Sequence, residues 1–148
     1  MYGTVSQANR RSAIDTELPA LALIAGRVAV AVRRTIESSP LDSQDRRDIR
    51  TARDDLLKSS ESTVLGRRLP DRHLRSRRLI VSTARETSGK ADNSALNSKL
   101  SSLAADLDRI LAGKRPRDPA ALVQYYEHLA SSARKQSRGC AETVVRVP

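Results

Sequence analysis

The sequence predicts an all-α, single-domain helical bundle of about five helices, and three observations lead to this prediction. Apolar residues recur at spacings of three and four along most of the 148-residue chain, as they do on the buried face of a helix. Turn-forming residues divide the chain into five such stretches. The core must be built almost wholly from Leu, Ile, Val and Ala, because the chain has no Phe or Trp and only three Tyr. We expect the first and fourth helices to be central.

The first predicted helix begins near Asp15 or Thr16, either of which can cap free backbone N–H groups, and ends before Pro40. Its principal apolar face comprises Leu18, Leu21, Ala25, Val28, Val32 and Ile36. Leu23 and Val30 form a second apolar stripe on the opposite side. A helix that is apolar on two sides is either central in its bundle or shared with another subunit. We favour the central position and keep Leu23 and Val30 as a possible interface.

The second predicted helix runs from Asp42 or Ser43 to Gly66, a residue suited to the left-handed turn after a helix. Its apolar face comprises Ile49, Ala52, Leu56 and Val64. Asp71 caps the third predicted helix, which reaches about Ser88. The core face of that helix comprises Leu74, Ile80, Val81 and Ala84.

The fourth predicted helix begins at Asn93 or Ser94 and ends near Gly113. Its apolar residues Leu96, Leu100, Leu103, Leu107 and Ile110 have heptad spacing, but the seam is too short for a free-standing coiled coil, so we expect an intramolecular core seam. The fifth predicted helix has Pro119 in its first turn and extends to about Arg138. Its apolar face comprises Leu122, Tyr126, Leu129 and Ala133.

The bundle domain should span residues 14–139, between a flexible basic arm at 1–13 and a C-terminal tail at 140–148. The tail contains the β-prone segment TVVRV, although frayed termini are commoner than ordered ones. The single cysteine excludes an intramolecular disulfide. The longest apolar run, Ala20–Val32, is too short to span a membrane, so we expect a soluble protein that is cytoplasmic or otherwise intracellular.

Positive charge is concentrated in one part of the chain. The net charge is +10, and 22 of the 27 basic residues are Arg, whose planar guanidinium group binds phosphate or carboxylate through two parallel hydrogen bonds. Residues 67–89 contain seven Arg and two acids, a charge of +5 and thus half of the excess. Such clustering is typical of an electrostatic footprint for an anionic partner. Codon bias toward Arg in a GC-rich genome is the other explanation.

The third helix arranges part of this charge along a line. Arg75, Arg78, Ser82 and Arg85 fall on one stripe beside the apolar face. Arg77 projects into the apolar side, which indicates either a displaced helix boundary or a buried carboxylate partner.

The sequence contains few signs of catalysis, and we expect no enzyme. His73 and His128 each lack the neighbouring Cys, Asp or Glu of a metal site, and neither a nucleophile motif nor a phosphate-binding Gly-rich loop is present. Paired carboxylates such as Asp106 and Asp108 are helix neighbours that point in different directions. No cofactor is expected.

Non-enzymatic binding of duplex nucleic acid, either double-stranded RNA or DNA, is the function that the charge distribution favours. Binders of single strands stack bases on aromatic side chains, which this chain almost lacks, whereas Arg and Ser can contact duplex phosphates without reading bases. The predicted contact residues are Arg67, Arg68, Arg72, Arg75, Arg78, Ser82 and Arg85. Arg10, Arg11 and the turn Lys114–Arg117 would be auxiliary.

The alternative is a helical interaction subunit or adaptor of a larger complex, such as a phage particle or a secretion system. The stripe of Leu23 and Val30 and the short heptad seam would then be contact surfaces, possibly in a homodimer, and the Arg-rich segments would meet acidic protein surfaces. Binding to a membrane surface ranks last, because the chain lacks the Trp and Phe anchors of interfacial helices.

Two segments near the start of the chain resemble part of a known family. LPALALIAGRVAVAVRRTIE, a turn and RRDIRTARDDLLK follow one another within residues 18–58, and this order resembles the helical hairpin of nodavirus silencing suppressors. Proteins of that family bind double-stranded RNA as dimers, which is what the resemblance implies here. It includes no diagnostic motif, so no family is assigned.

Overall fold

Five α-helices form the fold in the computed structural model, which describes residues 2–65, 74–89 and 92–146. The helices are α1 (Tyr2–Ile36), α2 (Ser43–Leu65), α3 (Leu74–Ser88), α4 (Asn93–Leu111) and α5 (Pro119–Arg146). The predicted all-α bundle is therefore confirmed, and these described ranges contain no strand. None of the described helices is long and apolar enough to cross a membrane.

The helices pack as two pairs with a shorter helix between them. α1 packs mainly on α5, and α2 packs mainly on α4. The remaining helix, α3, contacts all four others. The expectation that the first and fourth helices are central is therefore corrected. α3 can contact four helices because its buried residues Arg77, Leu79, Ile80, Thr83 and Ala84 form one broad face.

The predicted apolar faces form one continuous core. The predicted core residues that are buried are Leu18, Leu21, Ala25, Val28, Val32, Ile49, Ala52, Leu56, Ile80, Ala84, Leu96, Leu100, Leu103, Leu107, Ile110, Leu122, Tyr126, Leu129 and Ala133. Val81 is half-buried against this core. The prediction is wrong for Ile36, which is 51% exposed because it lies in the last turn of α1, beyond the helices that cover Val32. The side chains of Val64 and Leu74 lie outside the described set.

The two terminal helices are longer than the sequence predicts. α1 begins at Tyr2 and includes Pro19 in its interior, so the expected flexible arm at 1–13 is helical from residue 2. No proline interrupts the residues before Pro19, and Gln, Ala and Arg among them favour helix. α5 continues through Gly139 to Arg146. A single glycine costs a helix about 1 kcal/mol, which does not end a helix whose earlier turns are packed on α1.

Candidate nucleic-acid interface

Three contacts fix the rotation of α3 about its own axis, and thus which of its faces points outward. The hydroxyl of Tyr125 donates a hydrogen bond of 2.9 Å to the carbonyl of Ile80. The backbone N–H of Ser76 donates to a carboxylate oxygen of Glu17 at 2.8 Å. Glu86 pairs with the imidazole of His128 at 2.6 Å. α3 is thus attached to α1 at one end and to α5 along its length, and the opposite face points outward.

The outward face of α3 carries two exposed guanidinium groups. Arg78 and Arg85 are both exposed, and neither makes an ion pair or a side-chain hydrogen bond with any residue that the structure describes. Their seven-residue separation corresponds to about 10 Å along the helix axis. That distance is the rise of about three base pairs of duplex DNA. The two groups can therefore contact phosphates along one strand.

The rest of the predicted stripe is less available. Ser82 is half-buried, and its hydroxyl donates to the carbonyl of Leu79 at 3.2 Å. Arg75 is half-buried and has an interaction within the protein. Of the three guanidinium groups in the predicted stripe, two are therefore exposed, and Arg75 is the one that is half-buried.

Arg77 is the residue of α3 that sequence reasoning explains least. It is 8% exposed, which agrees with its predicted place on the apolar side. Its Nε and Nη1 atoms are buried and have no hydrogen-bond partner in the described part of the chain. Neither predicted explanation applies among the described residues, because α3 begins before Arg77 and no described carboxylate forms an ion pair with it.

Several predicted residues lie outside the part of the chain that the structure describes. These are Arg67, Arg68 and Arg72, and the same is true of His73. Of the auxiliary residues, Arg10 and Arg11 lie in α1. Lys114, Arg115 and Arg117 are exposed on the turn between α4 and α5.

The aromatic side chains are placed where they cannot stack on bases. Tyr125 and Tyr126 are 0% and 2% exposed. Their rings contact each other edge to face, with centroids 5.0 Å apart. Stacking on a single strand requires an exposed ring. Neither of these two tyrosines, out of three in the chain, can provide one.

The second apolar stripe of α1 is exposed. Leu23 and Val30 are 56% and 50% exposed, so the favoured interpretation of this stripe as core is wrong for the single chain. The two side chains line a groove of about 730 Å³ together with Gly26. The lining includes the acids Asp42, Asp45 and Asp48 and the cations Arg34 and Arg134, of which Arg34 and Asp45 form an ion pair at 3.2 Å. Arg27 also lines the groove, from α1 itself.

Comparison with known proteins identifies no relative of this chain. No protein-family description, no curated protein and no solved structure matches it. The function must therefore be argued from the residues of this chain alone.

Proposed function

We propose that the protein binds duplex nucleic acid without catalysing a reaction, through phosphate contacts from the outward face of α3. The observation that carries this proposal is the pair of exposed guanidinium groups of Arg78 and Arg85 on one helix face, which form no ion pair with the residues that the structure describes. Charge-assisted hydrogen bonds from Arg to phosphate are among the stronger hydrogen bonds in proteins. Arg75 and Ser82 lie on one side of this pair of arginines, at the border of the outward face, and would add contacts there.

The charge of the whole chain favours the same partner. The net charge is +10, and a polyanion with closely spaced phosphates gains affinity from every cation that displaces its counterions. The four Arg of α3 include one that is buried, Arg77. The positive charge of that group adds to the field at the outward face although it cannot itself reach a phosphate.

Duplex structure is favoured over single strands because Tyr125 and Tyr126 are enclosed in the core. A rigid helix that presents cations at fixed spacing suits the regular backbone of a duplex. A single strand bound by the same protein would lose the stacking energy on which such complexes depend.

The experiment that tests the proposal is a titration of the purified protein against labelled duplex DNA, duplex RNA and single strands at several salt concentrations. We expect tighter binding to a duplex than to single strands, and a steep fall of affinity with salt, because phosphate contacts release counterions. Equal, weak binding to every polyanion would contradict the proposal.

A second candidate function is self-association through the groove on α1. A second copy of this chain suits the groove because the same face carries exposed Leu23 and Val30, the cation Arg27 and the acid Asp48. Asp48 is 6% exposed, and its Oδ2 has no hydrogen-bond partner among the residues that the structure describes. A two-fold interface needs such a self-complementary face, in which Arg27 of one copy would meet acidic lining residues of the other.

Replacing Leu23 and Val30 by Gln tests this candidate. Because both side chains are exposed, the variant should fold with unchanged helicity and sediment as a monomer where the parent protein is a dimer. A monomeric parent protein at high concentration would contradict self-association, and so would a variant that remains dimeric.

A further inference from the structure

A second basic site lies at one end of the bundle, where the connection between α1 and α2 meets the connection between α4 and α5. These two connections enclose a pocket of about 310 Å³, a volume in the usual range for small-molecule sites. Three cationic residues line it, namely Arg46 from α2 and Lys114 and Arg115 from the second connection. No lining residue is acidic.

Both connections are held rigidly by the same backbone motif. At the end of α1, Ser38 has a φ of 62°, and the N–H groups of Ser38 and Ser39 donate to the carbonyls of Thr35 and Arg34 at 3.1 and 2.8 Å. This is the Schellman arrangement, in which a left-handed residue closes the helix. Two helix carbonyls that would otherwise face an anion as free acceptors thereby accept backbone hydrogen bonds.

The end of α4 repeats the motif on the other side of the pocket. Gly113 has a φ of 76°, and the N–H groups of Gly113 and Lys114 donate to the carbonyls of Ile110 and Arg109 at 3.0 and 2.8 Å. The guanidinium Nε of Arg109 also donates to the carbonyl of Arg115 at 2.7 Å. The backbone that carries the two pocket cations is therefore fixed before any ligand arrives.

A buried carboxylate completes this turn. Asp106 is 6% exposed, and its two oxygens accept hydrogen bonds from the backbone N–H groups of Arg117 and Asp118, at 3.0 and 3.1 Å. Its charge is used by the turn and is not among the groups that line the pocket.

The donors that face the pocket are unoccupied. The side chains of Arg46, Lys114 and Arg115 form no ion pair, and the hydroxyls of Ser38 and Ser39 form no hydrogen bond, with the residues that the structure describes. All five residues line the pocket. Three cationic residues and two hydroxyl-bearing residues that line one cavity match an anion with several acceptor oxygens.

We propose that this pocket binds a small phosphate monoester. A monoester carries a charge of about −1.5 to −2 and three strong acceptor oxygens at neutral pH, and three cations can neutralise this charge. A phosphate diester carries a single negative charge, so it would leave more of the positive charge of the pocket unneutralised. The side chains of Leu41 and Ile110 also line the pocket, so an apolar group on the ester oxygen has a surface to cover. This site is independent of the outward face of α3.

Calorimetric titration with phenyl phosphate tests the proposal, since this probe combines the dianion with an apolar ring. We expect saturable binding that weakens at least about tenfold in the double variant Arg46→Gln, Lys114→Gln, because the loss of even one charged hydrogen bond weakens binding by about that factor. The control is Arg50→Gln, Lys135→Gln, which removes one exposed Arg and one exposed Lys outside the pocket and should leave binding within about twofold.

Two results would overturn the assignment of the pocket. One is the absence of saturable binding to the parent protein, and the other is an equal loss of binding in both double variants, which would mean that only general surface charge attracts the probe. The variant Arg78→Ala, Arg85→Ala should bind phenyl phosphate as the parent protein does. Failure of the α3 proposal and failure of this one are thus distinguishable.

Discussion

Tyr125 and Tyr126 are adjacent in the sequence and equally buried, yet their hydroxyls differ in one respect. The hydroxyl of Tyr125 donates to the carbonyl of Ile80, whereas the hydroxyl of Tyr126 is buried and has no hydrogen-bond partner within residues 2–65, 74–89 and 92–146. Desolvation by burial raises the pKa of both groups above the ordinary tyrosine value, so each stays neutral in the folded protein even in alkaline solution where an exposed tyrosine ionises. The same substitution should therefore affect stability differently at the two positions.

We expect Tyr125→Phe to lower the free energy of unfolding by about 1 kcal/mol, the net value of one hydrogen bond. Tyr126→Phe should leave it unchanged within about 0.5 kcal/mol or raise it, because an unsatisfied buried polar group is removed. Urea unfolding followed by circular dichroism measures both. A loss at Tyr126 as large as the loss at Tyr125 would show that its hydroxyl has a partner.

Burial of single residues was predictable only as far as the helical periodicity determines it. The periodicity of α3 correctly places Arg77 on the apolar side, and the structure confirms its burial. Periodicity contains no information on partners, so the unpaired state of its Nε and Nη1 could not be predicted. The exposure of Leu23 and Val30 was missed for a related reason, because an apolar stripe does not reveal which helix covers it.

At the scale of the helices, the two Schellman motifs lead us to expect opposite changes in stability for two substitutions. Gly113 adopts a φ of 76° and an added Cβ would meet nothing within 4 Å, so Gly113→Ala should cost about 1 kcal/mol through backbone strain alone. Ser38 adopts a φ of 62° with a side chain that disfavours it, so Ser38→Gly should raise stability by up to about 1 kcal/mol.

Thermal denaturation of the two variants beside the parent protein measures these effects. A higher melting temperature for Ser38→Gly and a lower one for Gly113→Ala are expected. A lower melting temperature for Ser38→Gly, or a higher one for Gly113→Ala, would show that the left-handed turns do not end α1 and α4 as described.

Helix ends with clear chemical signals were the predictable ones. The start of α2 at Ser43, the end of α3 at Ser88 and the start of α5 at Pro119 agree with the sequence, because a capping side chain, Gly89 or the proline itself marks each boundary. The start of α1 and the end of α5 lack such signals, and both helices extend further than predicted. Propensity summed over neighbouring residues outweighed the polar character of the first residues and the β-branched ones near Arg146.

At the scale of the whole molecule, the two charged sites differ in how far they can be predicted from the sequence. The outward face of α3 comes from one continuous helix, so its spacing can be read from residues 75–85. The phosphate pocket combines Arg46 with Lys114 and Arg115, which are far apart in the sequence and meet only because α2 packs on α4. Sequence reasoning found the turn at Lys114–Arg117 as an auxiliary basic feature but had no signal for Arg46.

The central claim is that the outward face of α3 contacts duplex phosphates. The measurement that tests it most directly compares the salt dependence of duplex binding for Arg78→Ala, Arg85→Ala with that for Arg47→Ala, Arg50→Ala, which removes two exposed Arg from α2. The account predicts that the first pair reduces the slope of log affinity against log salt by about 2, one for each lost phosphate contact, and that the second pair leaves it nearly unchanged. Equal slopes in the parent protein and the α3 variant would contradict the account.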